Sequence, residues 1–184
     1  MSKLYELMQT IINNKYLELE LDKIDDEIFS KIKTFEANAV GQIGEEFMKS
    51  LMSEYGVVKN EGITHDEYDI MMENGIRFEI KTARMGRNNL FQFNGINPNY
   101  NYDYLICIGI CSDKVVYKIF NKSSIIYVHD KNNRGYYMKE ADINKKLSSM
   151  NPSNNVNLKL TLQLNQMFDL NEMPDVISKI MIKY

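Results

Sequence analysis

The sequence predicts an α/β (α+β) fold in which a mixed β-sheet core is flanked by helices. Three features predict this class: a helical stripe of apolar residues over 36 to 55, a hairpin pattern over 68 to 84, and two apolar strand-like runs at 104 to 111 and 115 to 120. Helices that precede and follow such strands are typical of a sheet covered by helices. We therefore expect one mixed sheet with helices packed on it.

Length and composition indicate one compact domain. The 184 residues, 44% of them hydrophobic, can build a substantial core but not two ordinary domains. Neither end has a basic region followed by an apolar stretch, and no window approaches the roughly 18 apolar residues of a membrane span. We therefore expect a single cytoplasmic domain over residues 1–184.

The net charge and the placement of histidines and cysteines argue against bulk nucleic-acid binding and against a structural zinc site. A net charge of -3 and a pI of about 5.5 argue against a protein that coats nucleic acid through bulk electrostatics, so any phosphate binding must be local or metal-assisted. His65 and His129 lie far apart, and Cys107 and Cys111 do not cluster with them, which argues against structural zinc. The two cysteines are too widely spaced on an apolar strand for a disulfide, and we expect them to be buried.

The first 55 residues are predicted to be mainly helical. Residues 3 to 12 carry apolar side chains at helical spacing, whereas residues 17 to 21 alternate like a strand but consist of good helix formers, so both states stay open. A helical stripe follows within 24 to 35, formed by Ile24, Ile28, Ile32 and Phe35. The longer helix over 36 to 55 has Gly56 as its expected C-terminal cap. Its apolar side is expected to consist of Val40, Gly44, Phe47, Leu51 and Tyr55.

The residues after this helix are predicted to form mainly strands. Residues 85 to 103 are rich in Gly, Asn, Tyr and Pro and are predicted to be a long loop with a short element at 90 to 93. Strict alternation over 156 to 164 predicts a half-buried strand, and residues 175 to 182 are predicted to form a closing helix. Further strands are predicted at residues 68 to 72, 76 to 84, 104 to 111, 115 to 120 and 124 to 128.

The register of the predicted hairpin decides which side chains share a face. A two-residue turn would pair Ile70 with Glu79 and place an apolar side chain beside a charged one. A three-residue loop over 73 to 75 instead pairs Ile70 with Phe78 on the apolar face. The same register places Asp69 beside Glu79 on the other face. The hydrophobic pattern therefore predicts that these two carboxylates lie close together.

Glu79-Ile80-Lys81 is the only place in the chain where an acidic residue stands two positions before a lysine. On a strand these two charged side chains project from one face, while Ile80 faces the core. With Asp69 they make a hard oxygen site suited to Mg²⁺, and the Ile80 backbone carbonyl is a further candidate ligand. Lys81 can position and help deprotonate an attacking water and oppose the charge that develops during phosphodiester hydrolysis. The alternative is a solvated strand face with a salt bridge between strands.

These residues resemble the PD-(D/E)XK nuclease superfamily, which includes most type II restriction endonucleases. The resemblance rests on Asp69, the nine intervening residues and Glu79-Ile80-Lys81, and it covers about residues 36 to 120. The first motif here is Tyr68-Asp69, without the nominal proline. The resemblance implies a restriction endonuclease-like fold, catalysis by Asp69, Glu79 and Lys81, and a Mg²⁺ cofactor that Mn²⁺ can replace. It also implies a glutamate on the preceding helix that assists the metal.

Glu45 is the preferred candidate for this helix glutamate. At about 100° per residue, it lies at the flank of the apolar face, whereas Glu46 lies nearly opposite that face. Glu45 is therefore a candidate catalytic residue and an additional candidate metal ligand. The alternative is an exposed ion pair with Lys49, one helical turn further on, and both interpretations stay open.

Polar residues that follow the motif are candidates for DNA contacts. Arg84 and Arg87 are positioned to hold phosphates that flank the scissile bond, and a solvated basic loop is the alternative. Asn88, Asn89 and Gln92 are candidates for contacts with base edges, with an ordinary polar loop or strand position as the alternative. Three alternate tyrosines are expected to pack rather than to stack on bases: Tyr100, Tyr102 and Tyr104.

The sequence thus predicts a Mg²⁺-dependent endonuclease that hydrolyses DNA, and among these a type II restriction endonuclease that cuts a specific duplex site. Because a palindromic site suits a twofold enzyme, we expect a homodimer on double-stranded DNA. The catalytic core is expected at about residues 36–128, with the N-terminal helical region, 1–35, as the candidate dimerisation region. The alternatives are a phage, repair or recombination nuclease of the same superfamily and a non-catalytic DNA-binding module.

Overall fold

The structure is a computed structural model and describes residues 11, 17, 27–56, 58, 67–140, 142–151 and 154–182. It contains both helices and strands in mixed sheets, so the predicted α+β class is confirmed. The helices are α1 (Ala37–Ser53) and α2 (Met173–Ile182). The strands are, in chain order, β1 (Ile70–Met71), β2 (Arg77–Arg84), β3 (Leu90–Ile96), β4 (Tyr104–Ile110), β5 (Val115–Asn121), β6 (Ile125–Val128), β7 (Gly135–Glu140), β8 (Ile143–Lys146), β9 (Ser148–Asn151), β10 (Asn154–Gln163) and β11 (Phe168–Asp169).

A five-stranded mixed sheet forms the centre of the described part of the chain. Its order is β1-β2-β4-β5-β11; β2 and β4 run parallel, and the other neighbours are antiparallel. Two antiparallel three-stranded sheets, β3-β10-β9 and β6-β7-β8, accompany it. The mixed sheet that the sequence predicts is therefore present.

Apolar layers cover both faces of the central sheet. On one face, Phe78 and Ile80 of β2 pack with residues of α1 and α2. On the other face, Ala83 of β2 packs with residues of β3 and β10, among them Phe91 and Leu160. Strand β4 is buried along its whole length because both of its faces are covered. Each fully buried side chain of this size stabilises the fold by about 1.5–3 kcal/mol, so the two layers hold β2 rigidly.

The β1–β2 hairpin has the predicted register. Ile70 lies opposite Phe78, and the N–H of Met72 donates to the Ile76 carbonyl over 2.9 Å. Gly75 has a φ of 88°, a left-handed value that glycine adopts without strain, and it closes the three-residue loop. A slip by one residue would turn the charged side chains of β2 into the α1 layer. The hydrophobic pattern therefore selects this register.

Helix α1 confirms the helix predicted over 36 to 55, but its buried side differs from the prediction. The buried residues are Val40, Gly44, Met48 and Met52. Phe47 was predicted to be buried and is 37% exposed. The helix is rotated toward the sheet at Gly44, where it approaches β2 most closely. Its C-cap is Glu54, so the predicted cap at Gly56 is wrong.

The long loop predicted over 85 to 103 is wrong in its middle. Leu90–Ile96 form β3, which extends the short element predicted at 90 to 93. Phe91, Phe93 and Ile96 are fully buried, and this burial against β10 outweighs the loop-like composition of the segment. Strands β7, β8 and β9 have no counterpart among the predictions.

The predictions for the N-terminal region have mixed outcomes. In the described part of 24 to 35, Ser30–Thr34 form a 3-10 helix rather than an α-helix. Ile32 is buried there, whereas Ile28 is 80% exposed, so the predicted stripe does not form one buried face. The elements predicted at 3 to 12 and 17 to 21 lie outside the described residues, apart from one position in each.

Other features agree with the predictions. Strands β4, β5, β6 and β10 and helix α2 lie where strands and a closing helix were predicted. Cys107 and Cys111 are free and buried in the second apolar layer. Among the described residues, no helix has the length and apolar character needed to cross a membrane.

Candidate active site

Strand β2 has an open edge where its pairing with β1 stops. The pairing ends at Ile70 opposite Phe78, so residues 80–84 of β2 have no strand partner on that side within the described part of the chain. On its other side, β2 pairs with β4 as far as Arg84. The backbone groups of β2 that point away from β4 can therefore bind other groups along this edge.

Asp69 lies at the start of the open edge and is held there by two contacts. Its N–H donates to the Phe78 carbonyl over 2.9 Å, and its Oδ2 accepts a hydrogen bond from the N–H of Ile80 over 2.7 Å. The N–H and carbonyl of one strand residue point to the same side, so the Ile80 carbonyl also faces this edge. The carboxylate and the carbonyl that the sequence predicts as ligands thus share one edge of β2.

Glu79 and Lys81 form a close ion pair on the second face of β2. Glu79 Oε1 lies 2.5 Å from Lys81 Nζ, and the side chains are 4% and 20% exposed. A solvated strand face does not describe this pair, because Glu79 is buried. Removing a carboxylate from water costs on the order of several kcal/mol, so its burial needs a compensating partner.

Helix α1 brings Glu45 to the same site through a close helix–sheet contact. A Cβ atom on Gly44 would lie 1.7 Å from Thr82 Oγ1, so only glycine allows this approach. Glu45 is half-buried next to this contact and is electrostatically coupled to the other two carboxylates. Its Oε2 also lies 3.9 Å from Lys49 Nζ, so the helical ion pair and the position at the site coexist.

Burial and neighbouring carboxylates raise the pKa values of Glu45 and Glu79. Burial, followed by the charge of Asp69, raises the pKa of Glu45. Burial is also the main reason why the pKa of Glu79 rises to about 7; Lys81 lowers it, while Asp69 and Glu45 raise it further. The site therefore holds more negative charge than its one ammonium group balances. A bound cation would relieve this repulsion.

Lys81 keeps its positive charge at neutral pH. Burial lowers the pKa of its ammonium group, but the charges of Glu79, Asp69 and Glu45 outweigh burial, and its pKa is raised. A lysine that stays charged is a poor proton acceptor and a good electrostatic partner for anionic oxygens. Of the two roles predicted for Lys81, this balance favours charge stabilisation.

A cleft of about 790 Å³ runs along the open edge of β2, between α1 and β3. It brings together most of the residues predicted to contact metal or DNA: Glu45, Ile80, Lys81, Arg84, Arg87, Asn88 and Gln92. Asp69, Glu79 and Asn89 do not line the cleft. Because Glu79 is paired with Lys81, the cleft nevertheless reaches the carboxylate site through the lysine.

The two predicted phosphate-binding arginines differ in their contacts. Arg84 Nη1 donates to the carbonyls of Lys33, over 2.8 Å, and Phe35, over 3.0 Å, and so ties β2 to the segment before α1. Arg87 is exposed in the turn Arg87–Asn89. Both line the cleft, but part of the Arg84 guanidinium is already engaged. Arg87 is therefore the better placed of the two for contact with a phosphate.

Sequence reasoning missed the electrostatic coupling of Glu79 to Tyr102, in the loop before β4, and to Lys122, directly after β5. Tyr102 is 3% exposed, and its hydroxyl has no hydrogen-bond partner among the described residues. Lys122 Nζ lies 4.2 Å from the centre of the Tyr102 ring and donates to the Tyr100 carbonyl. Burial and the charge of Glu79 raise the pKa of Tyr102; burial lowers the pKa of Lys122. No local pattern marks Lys122, although the predicted packing role of the tyrosines is confirmed for Tyr102 and Tyr104.

The oxygen atoms at this site fit Mg²⁺. The Asp69 carboxylate and the Ile80 backbone lie at one edge of β2, and Glu79 and Glu45 are electrostatically coupled to this carboxylate. The described residues contain no group of three His, Cys, Asp or Glu side chains that could bind a metal by themselves. Mg²⁺ does not need such a cage, since it commonly uses one or two carboxylates together with waters and substrate phosphate. Substrate and water oxygens would complete its ligand shell here.

The sequence matches no protein-family model, and comparison with curated proteins found no match. The resemblance to PD-(D/E)XK nucleases therefore rests on the motif residues alone and stays an expectation from the sequence. In the structure, Asp69 precedes the strand that pairs with β2, and Glu79 and Lys81 lie on β2 itself. Glu45 lies on the helix that packs closely on the same strand.

Proposed function

We propose that this protein is a Mg²⁺-dependent endonuclease that hydrolyses phosphodiester bonds in DNA. The observation that carries the proposal is a buried Glu79–Lys81 pair on β2 together with an Asp69 carboxylate fixed at the open edge of the same strand, next to a large cleft. A buried carboxylate whose pKa is raised to about 7 is more typical of a functional site than of a surface salt bridge.

The residues of the site match the needs of phosphodiester hydrolysis. Asp69 and Glu79, assisted by Glu45 and the Ile80 carbonyl, would hold Mg²⁺, which when bound acts as a Lewis acid and makes a water molecule more acidic. A water oxygen would bond to phosphorus as the water releases a proton to solvent, and the bond from phosphorus to a deoxyribose oxygen would break as that oxygen takes up a proton from solvent. During this step the Lys81 ammonium group opposes the negative charge on the phosphate oxygens.

The cleft supplies two arginine contacts for the substrate beyond Lys81 along β2. Arg87 is exposed at one end and would hold a phosphate that flanks the scissile bond. Arg84 would add a second phosphate contact while it keeps its hydrogen bonds to the segment before α1. These contacts position the DNA backbone and carry no sequence information.

Among DNA endonucleases, we propose a type II restriction endonuclease that acts in the cytoplasm as a homodimer. A dimer cuts both strands of a palindromic duplex, because each subunit contributes one active site. Sedimentation of the protein with and without a duplex tests the dimer. A protein that stays monomeric in both conditions would favour a nicking or structure-specific enzyme of the repair or recombination type.

Digestion of plasmid DNA in the presence of Mg²⁺ tests the activity. Discrete bands are expected for site-specific cleavage, and Mn²⁺ should replace Mg²⁺; a smear indicates an unspecific nuclease. Asp69→Asn is a sharp variant, because its amide oxygen can still accept the Ile80 N–H while the charge is lost. It should cut about 100-fold more slowly or worse, yet bind DNA in Ca²⁺ like the wild type. Intact plasmid with the wild type would leave only a non-catalytic DNA-binding module.

A further inference from the structure

Two polar turns meet at one end of the β3–β10 pair, next to the cleft. The turn Arg87–Asn89 precedes β3, and the turn Leu164–Gln166 follows β10. They lie together because the two strands are antiparallel, with Leu90 opposite Gln163. Between them is a depression of about 340 Å³, called here the amide depression, lined by Asn88, Asn89, Gln163, Leu164 and Asn165. Asn88 also lines the cleft, so the two are adjacent.

The lining of the amide depression contains four amide side chains and no charged one. A phosphate-binding surface needs positive charge, whereas an amide offers one donor group and one acceptor group side by side. This combination matches base edges, and asparagine and glutamine pair best with the N6 donor and N7 acceptor of adenine in the major groove. Arg87 directly precedes the depression and can hold the neighbouring phosphate.

The backbone fixes these amides in place. Asn88 has a φ of 59° and Asn89 a φ of 55°, so two successive residues adopt the left-handed conformation. Glycine builds such a turn most easily but offers no side chain; this chain has an exposed amide at both positions. On the other side of the depression, the N–H of Gln163 donates to Gln166 Oε1 over 3.0 Å, which anchors the second turn.

We propose that the amide depression reads base edges of duplex DNA and prefers adenine at the positions it contacts. The inference rests on the proposed function, because the duplex must lie in the cleft with its scissile phosphate at Lys81. It adds to that function the residues that determine sequence preference: Asn88, Asn89 and Asn165. The Gln163 side chain instead accepts the backbone N–H of Gln166 and closes the second turn. The competing interpretation is that the asparagines only build the turn.

Glycine substitution separates these two roles. The double variant Asn88→Gly and Asn89→Gly keeps the left-handed turn and removes both amides. Asn144→Ala is the matched control, because Asn144 is an exposed amide on β8, outside the depression. Each protein digests a library of duplexes of randomised sequence in Mg²⁺, and the ends of the products are sequenced.

We expect the wild type to select sites that contain adenine at fixed positions. The double glycine variant should lose roughly tenfold or more of its discrimination at one or two positions, while it stays folded and still cuts the library. Asn165→Ala should lose preference at a nearby position, and Asn144→Ala should keep the wild-type pattern. Unchanged preference in the double variant overturns the inference and leaves the proposed function standing. Cleavage without preference by the wild type also overturns the inference; it leaves a Mg²⁺-dependent endonuclease but contradicts a restriction endonuclease. A wild type that does not cut overturns both.

Discussion

Two lysines on the same face of the central sheet have different surroundings. Lys81 of β2 and Lys118 of β5 both lie opposite Cys107 of β4, one on each side, so the three side chains form one row across the sheet. Both lysines are largely buried: their side chains are 20% and 7% exposed. Lys118 Nζ lies 3.3 Å from Asp142 Oδ1 and 4.6 Å from the centre of the Phe168 ring.

The two sites differ in the exposure of the carboxylate that pairs with the lysine, not in the burial of the lysine itself. The side chain of Asp142 is 58% exposed, whereas that of Glu79 is 4% exposed. An exposed carboxylate keeps its water and gains little from an ion pair. Glu79 has lost its water and is coupled to two further carboxylates. A buried lysine is thus weak support for catalysis, while a buried carboxylate among other carboxylates at a cleft is much stronger support.

Replacing each lysine in turn should give the largest difference in cleavage rate between the two sites. Lys81→Met should slow cleavage by about 100- to 1000-fold, because the group that opposes transition-state charge is lost. Lys118→Met should cut within a few-fold of the wild-type rate, since Lys118 does not line the cleft. Single-turnover cleavage in Mg²⁺ measures both rates, with binding in Ca²⁺ as the control. Equal losses in the two variants would show that the surroundings do not distinguish these lysines.

A helix contact that only the Lys81 site uses provides the next test. Gly44→Ala should destabilise the fold by about 1–3 kcal/mol and displace Glu45, because the added Cβ would lie 1.7 Å from Thr82 Oγ1. Gly41→Ala is the matched control in the same helix: no atom lies within 4 Å of its added Cβ. It should stabilise the helix by roughly 0.5–1 kcal/mol. Urea unfolding measures the free energy of unfolding of both variants. If both variants are more stable than the wild type, the contact between α1 and β2 is not tight.

The raised pKa of Glu79 predicts how stability depends on pH. The folded pKa of about 7 lies above the usual glutamate value of 4.5, so the fold favours the protonated form. The stabilisation is fully present below pH 4.5 and is lost as the pH rises through 7. Glu79→Gln should flatten the fall of Tm between pH 5 and pH 7 in the absence of divalent ions. An equally steep fall in this variant would assign the effect to other groups.

Mg²⁺ should stabilise the fold more as the pH rises, opposite to the effect of Glu79 ionisation in the absence of the ion. Because the ion binds the ionised carboxylate, it should raise the Tm of the wild type more at pH 8 than at pH 6. The two carboxylates near Lys118, those of Asp142 and Glu140, are exposed, so Asp142→Asn should leave this response to Mg²⁺ unchanged. A response that is the same at both pH values would argue against a metal at Glu79.

The smallest effects are expected at the two arginines. Arg87→Ala should reduce the slope of the logarithm of DNA affinity against the logarithm of salt concentration by about one unit. The stability of the fold should change little. Arg84→Ala should have a similar effect on the slope and also lower stability by about 1 kcal/mol for each lost hydrogen bond to Lys33 and Phe35. Filter binding across a salt series measures the slopes. Unchanged slopes in both variants would assign these arginines to solvent.

The local part of the site could be predicted from the sequence. The hairpin spans few residues, and its apolar alternation allows only one register that keeps Ile70 and Phe78 on the same buried face. This register brings Asp69 to β2, and the strand period of two places Glu79 and Lys81 side by side. These features depend on backbone geometry over a short stretch, so periodicity is sufficient to determine them.

Tertiary packing decided the properties that make the site chemically distinctive. The burial of Glu79 comes from the second apolar layer, which β10 helps to build about 80 residues later in the chain, and β3 exists as a strand because β10 pairs with it. The coupling of Glu45 depends on a contact between Gly44 and Thr82 that no local pattern encodes. Sequence periodicity alone determined which face of β2 carries the charges. The tertiary structure decided whether that face is exposed to solvent or buried, because desolvation depends on all the surrounding atoms. It thereby also decided the pKa of Glu79.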